Sequence, residues 1–258
     1  MITTFNLFNS VAWIVSGIIS AILSLLFLSK NPKKRLNQFF SIGFILWSFS
    51  LLFNGINFTI AYQSLLAANI FRDLCVVTGI ISALTLFLAT LGIYFGAEKI
   101  NWISTTILTI LSIVLSIIGI LNDWVTEDGL GGYKTTDNWL GKTCVQIIPA
   151  LFVIAGLILL TITYFTLEKS SAKKRIGFFT IGFSTIILGL LMFVFDAIVD
   201  VSPYIFLTLA ISSWVAGPFL MLIGFYVKET AQTSYGQVPD VEAHPLDPKQ
   251  KQKLERPS

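Results

Sequence analysis

Residues 102–121 read WISTTILTILSIVLSIIGIL, a run with no charged side chain and no proline. A bilayer core about 30 Å thick is crossed by about 20 helical residues, and this run has that length. Hydrocarbon offers the backbone no water, so every N–H and C=O must be satisfied within the segment, which makes the run a helix. Six more long, sparsely charged runs flank it, at 10–29, 37–58, 65–95, 143–167, 176–198 and 203–227. The expected fold is an all-α integral membrane protein, a seven-helix transmembrane bundle over 1–227. Composition excludes a soluble domain: 55% of residues are hydrophobic, 12% are charged and the mean hydropathy is +0.80.

Charge orients the bundle. All but three of the 17 Lys and Arg residues lie after helix seven or between helices one and two, three and four, and five and six. The opposite face holds Arg72, Lys134 and Lys142. The positive-inside rule then places the N-terminus outside and the C-terminus in the cytoplasm, in a multi-pass protein of the cell membrane. Residues 1–9 carry no Lys or Arg, and the cluster Lys30, Lys33, Lys34 and Arg35 follows the first run. A cleaved signal has the reverse polarity, so the first run is expected to remain as helix one.

Two segments depart from helix. Residues 122–142 hold Asp123, Glu127, Asp128 and Asp137 around Gly129, Gly131 and Gly132, with Trp124 and Trp139 at the flanks. Glycine at that density permits tight reversal, so an outer loop or hairpin folded back on the bundle is expected, its Trp residues at headgroup depth. Residues 228–258 carry Pro239, Pro245, Pro248 and Pro257 with few large apolar side chains, and are expected to be a disordered cytoplasmic tail. One internal similarity stands out. Lys33-Lys34-Arg35 precedes Phe39-Phe40-Ser41-Ile42-Gly43-Phe44, and Lys173-Lys174-Arg175 precedes Phe178-Phe179-Thr180-Ile181-Gly182-Phe183. It reads either as coincidence in a Phe-rich chain, the favoured reading, or as two parallel three-helix repeats joined by helix four.

Ionisable and polar groups at membrane depth are costly and point to function. They gather at the outer end. Arg72 and Asp73 open helix three, Asn54 and Asn57 close helix two, and Asp196 and Asp200, at i and i+4, share a face at the end of helix six. These could line a shallow outward pocket for a small polar ligand. The competing reading is an interfacial Arg–Asp pair holding helix three against helix six. Cys75 and Cys144 fall at one membrane level on that side, where a disulfide could form; otherwise they are small buried apolar residues. Gly217-Pro218 interrupts helix seven and reads equally as a hinge or a packing feature. Gly189 and Phe193 form no small-xxx-small pair.

Enzyme signatures are missing. The single histidine, His244, sits in the tail, so no His-based metal or catalytic cluster can form in the bundle. There is no phosphate-cradling glycine loop, and the last run has no lysine for a retinal Schiff base. No cofactor, metal or nucleic acid is expected. The basic loops could touch anionic headgroups, but orientation already accounts for them.

Residues 28–40, LSKNPKKRLNQFF, followed by Trp47, resemble the first-loop signature of the seven-helix N-terminal sensor region of certain histidine kinases. In that family an Asn-Pro (here Asn31 and Pro32), an Arg-x-Asn (Arg35 and Asn37) and a helix-two Trp recur. Arg72, the glycine-bearing loop 129–133 and the Lys-Lys-Arg before helix six fit the pattern in order, and the resemblance spans 11–227. It implies a membrane receptor that passes a signal to attached cytoplasmic domains. Residues 228–258 fall far short of the about 200 residues of a dimerisation-plus-kinase unit. The expectation is therefore a stand-alone receptor-like sensor acting on a separate signalling partner, with the bilayer and other copies of itself as further partners. The alternatives are a small transporter of two three-helix repeats and a structural subunit.

Overall fold

Each apolar run forms one helix. The computed structural model describes residues 4–127, 133–137, 139–168, 171–198 and 205–227. The helices are α1 (Thr4–Lys30), α2 (Arg35–Ile60), α3 (Leu65–Phe95), α4 (Trp102–Asn122), α5 (Trp139–Thr166), α6 (Ser171–Ile198) and α7 (Ile205–Tyr226). All seven contain a stretch long and apolar enough to cross a membrane. The tail 228–258, expected to be disordered, and the glycine-rich tip 128–132 lie outside the described residues.

Around the bundle α1 touches α2 and α7, α3 touches α2, α4 and α5, and α6 touches α5 and α7. These contacts close a ring, with α4 outside it against α3 and the start of α5. The outer face of α4 shows Ile103, Ile107, Ile110, Ile113, Ile117 and Leu121, as a surface solvated by acyl chains should. Between α4 and α5, Asp123–Glu127 (β1) and Tyr133–Asp137 (β2) pair antiparallel, Asp123 opposite Asp137 and Glu127 opposite Tyr133. This is the expected hairpin. Asn69 Oδ1 accepts the Val125 N–H at 2.7 Å, and Val125 packs on Ala61 and Ala68, which docks β1 on the α2–α3 corner.

With lipid outside, apolar burial cannot drive helices together, and close packing with hydrogen bonds must. Serines supply the bonds. Ser24 donates to the Ser41 carbonyl at 2.8 Å, Ser50 to Cys75 at 2.9 Å and Ser82 to Gly43 at 2.8 Å, joining α1 to α2 and α2 to α3. The fourth such bond lies beside Pro218. Proline has no N–H, so the carbonyl four residues back, that of Trp214, loses its helical donor. Ser16 of α1 donates to it at 2.7 Å. Pro218 is fully buried.

Glycines supply the close approach. A Cβ on Gly182 would lie 2.6 Å from Met221 and 2.7 Å from the Gly217 carbonyl, and one on Gly224 would lie 2.6 Å from Phe178. A Cβ on Gly189 would overlap the Trp214 ring. The α6–α7 seam thus rests on Gly182 against Gly217, Gly189 against Ala210 and Trp214, and Gly224 against Phe178, the two glycines on each helix being seven residues apart. The internal similarity has a structural counterpart here. Gly43 meets Leu86 on α3 as Gly182 meets α7, and Phe40, Phe44, Phe179 and Phe183 share one core.

In α5, Pro149 cannot bond back to Val145, and the preceding turn, Thr143–Ile147, widens to a π-helix in which Ile148 N–H reaches the Thr143 carbonyl. Gly96 ends α3 with φ +95°, a conformation open to glycine, and starts the short turn Ala97–Lys99.

Candidate functional site

At the hairpin end, α1 and α2 run antiparallel with Gly55 against Ser10 and Trp13. That register sets Asn9 and Ser10 level with Asn57. Asn57 is fully buried, and its Nδ2 donates to Asn54 Oδ1 over a long 3.4 Å. Asn57 Oδ1, Asn9 Oδ1 and Ser10 Oγ are buried with no hydrogen-bond partner among the described residues. An unmet buried polar atom costs about 1–3 kcal/mol, so these three atoms on α1 and α2 mark this end of the bundle as a candidate polar site. On α3, a turn away, Arg72 reaches the Cys75 sulfur with Nη1 at 3.9 Å, and Asp73 follows it in the chain. The structure therefore brings together Asn54 and Asn57, with Arg72 and Asp73 on the adjoining helix. Asp200 lies outside the described residues, and Asp196 is described only as backbone of α6. Asn9 and Ser10 escape a search for ionisable groups; their signal is two adjacent polar residues opening an apolar run.

Cys75 and Cys144 are both buried and are not joined by a disulfide, as in the second of the two readings given for them. Consecutive helical residues point about 100° apart. Cys75 faces α2, where Ser50 Oγ lies 3.5 Å from its sulfur, while its neighbour Val76 packs in the cluster that holds Cys144.

The first-loop motif builds a self-locked turn. Asn31 Oδ1 accepts the backbone N–H groups of Lys33 and Lys34 at 3.1 and 3.2 Å. Asn37 Nδ2 donates to the Asn31 carbonyl at 3.1 Å, and Gln38 Nε2 to that of Pro32 at 2.8 Å. Trp47 lies deeper, its ring 5.3 Å from Trp214, which in turn meets Trp13 edge-on at 4.8 Å. The Trp47 indole N–H has no partner among the described residues.

This turn borders a cleft that the sequence does not announce. A cavity of about 740 Å³ opens at the basic-loop end, and its walls include Lys34, Arg35, Asn37, Glu98 and Arg175 over Phe27, Phe40 and Phe179. A second, of about 330 Å³, adjoins it and adds Lys30, Asn31 and Phe225. Arg175 is braced by two bonds to the Val227 carbonyl, from Nε at 3.0 Å and Nη2 at 2.8 Å, tying the start of α6 to the end of α7. This cleft lies at the end opposite the one where a pocket is expected.

The chain is similar to the solved structure of squid rhodopsin, with a TM-score of 0.59 at 14% identity over 84% of this chain and 75% of that one. The likeness shows the fold, a seven-helix bundle. No protein-family model and no curated relative matches the sequence. On this seven-helix fold, the unmet polar atoms of α1 and α2 lie at one end and the cation-rimmed cleft at the other.

Proposed function

We propose that this receptor-like module is a sensor of the kind found at the N-terminus of histidine kinases, taking its input at the hairpin end and acting on a separate signalling partner. The observation that carries the reading is the buried trio Asn9, Ser10 and Asn57, whose unused acceptors and hydroxyl favour a small polar ligand. A ligand that satisfies them in one helix packing and not in another shifts the balance between the two. The chain carries no catalytic constellation in this reading, and its N-terminus is outside, as the basic loops suggest.

The test is crosslinked capture from native membranes followed by reconstitution. A captured signalling protein whose activity changes when the purified chain is added back supports the reading. A partner indifferent to the chain in every membrane tried removes the output and overturns it. The matching roles of Gly43 with Gly182 and Phe44 with Phe183 favour a second reading, a small transporter of two repeats. Solute uptake into vesicles, abolished by Asn57→Leu, would select that one.

A further inference from the structure

The cleft at the basic-loop end joins two surfaces of opposite chemistry. Its floor is aromatic: Phe27 stacks on Phe40 with centroids 4.8 Å apart, and Phe179 meets both rings edge-on at 5.6 and 5.9 Å. Its rim carries Lys34, Arg35 and Arg175 against one carboxylate, Glu98, and the adjoining cavity adds Lys30 and no acid. Positive charges set around one hollow repel each other, and an anion in the hollow relieves all of them together. The volume, about 740 Å³, is that of a site for a small amphiphile.

We propose that this cleft binds the headgroup of an anionic phospholipid, its phosphate at Lys34 and Arg35 and the first methylenes of a chain against the half-buried Leu36, Ile93 and Ile176, which line the cleft beside the aromatic cluster. A free phosphate would use the rim and leave the apolar wall of Leu36, Ile93 and Ile176 uncovered. A lipid uses both. The cleft also lies where α1 and α7 end and α2 and α6 begin, the depth at which headgroups sit. Arg175 shapes the site through its bonds to Val227, and Lys34 and Arg35 are exposed and available to a phosphate.

The test places the full chain in phosphatidylcholine nanodiscs with rising phosphatidylglycerol and counts bound lipid by native mass spectrometry. One saturable phosphatidylglycerol site is expected. Removing two cations by Lys34→Gln with Arg35→Gln should weaken it about thirtyfold. Lys33→Gln with Lys174→Gln changes the net charge equally but leaves the cleft lining intact, and should alter binding less than about twofold. If the double variant fails to fold, Lys34→Gln alone, at about fivefold, serves the same comparison. Equal weakening by both pairs, or no saturable site, overturns the proposal. So does full protection of the cleft in pure phosphatidylcholine by inorganic phosphate or by an acidic peptide, which would assign it to a soluble anion or to a protein segment.

Discussion

At the scale of single residues, the hydroxyl of Ser16 carries a specific debt created by Pro218. Ser16→Ala should destabilise the bundle by about 1 kcal/mol, because the Trp214 carbonyl is left unmet in the membrane interior. Pro218→Ala restores an N–H to that carbonyl, so in its background Ser16→Ala should cost close to nothing. Unfolding titrations of the four proteins in mixed micelles measure this coupling, and additive effects would rule out the link. Asn57 behaves in the opposite sense. Asn57→Leu removes a buried amide with an unused oxygen, so it should leave stability unchanged or raise it while abolishing the response to the polar ligand. Loss of folding on that substitution would show that Asn57 acts through structure instead. Asn54, Asn57, Arg72 and Asp73 were legible as candidates because polar groups at membrane depth are conspicuous. Asn9 and Ser10 were not, since they sit at the very start of an apolar run, where polar residues are ordinary, and only the α1–α2 register sets them beside Asn57.

At the scale of elements, the α6–α7 seam depends on missing side chains. Gly182→Ala and Gly189→Ala each place a methyl group against the neighbouring helix, and each should cost about 1–3 kcal/mol by overpacking. Ile110→Ala on the exposed face of α4 should cost far less in the same thermal-melt series. This seam was hidden in the sequence because its glycines repeat at seven residues, while the motif sought there repeats at four. The first loop was more legible. Asn31, Pro32, Arg35 and Asn37 stand out as a motif, and the fold shows the physical reason, a turn closed by the Asn31 and Asn37 side chains. The cation-rimmed cleft escaped notice for a different reason. Its charges come from Lys34 and Arg35 in one loop and Arg175 in another, and the orientation rule accounts for each loop separately.

At the scale of the whole molecule, the native thiols give a clean way to test orientation. Cys75 and Cys144 are buried and share no disulfide, so reductant should not change stability, and both thiols should titrate only after denaturation. Against that silent background an impermeant maleimide should label Trp139→Cys from outside intact cells and Lys174→Cys only after the cytoplasmic side is opened. The reverse pattern would invert the positive-inside assignment.

What the chain's one-dimensional pattern determined by itself was the number of helices, their lengths and the hairpin between α4 and α5. Each of those follows from a local cost: backbone polar groups cannot be bare in hydrocarbon, and dense glycine permits the chain to turn. Which helices touch, which glycines meet a neighbour, why the two thiols stay apart and where the cleft opens were decided only in three dimensions. Lipid solvates every apolar face equally, so apolarity cannot encode partners in a membrane, and the choice passes to contacts between residues as distant in sequence as Ser16 and Trp214.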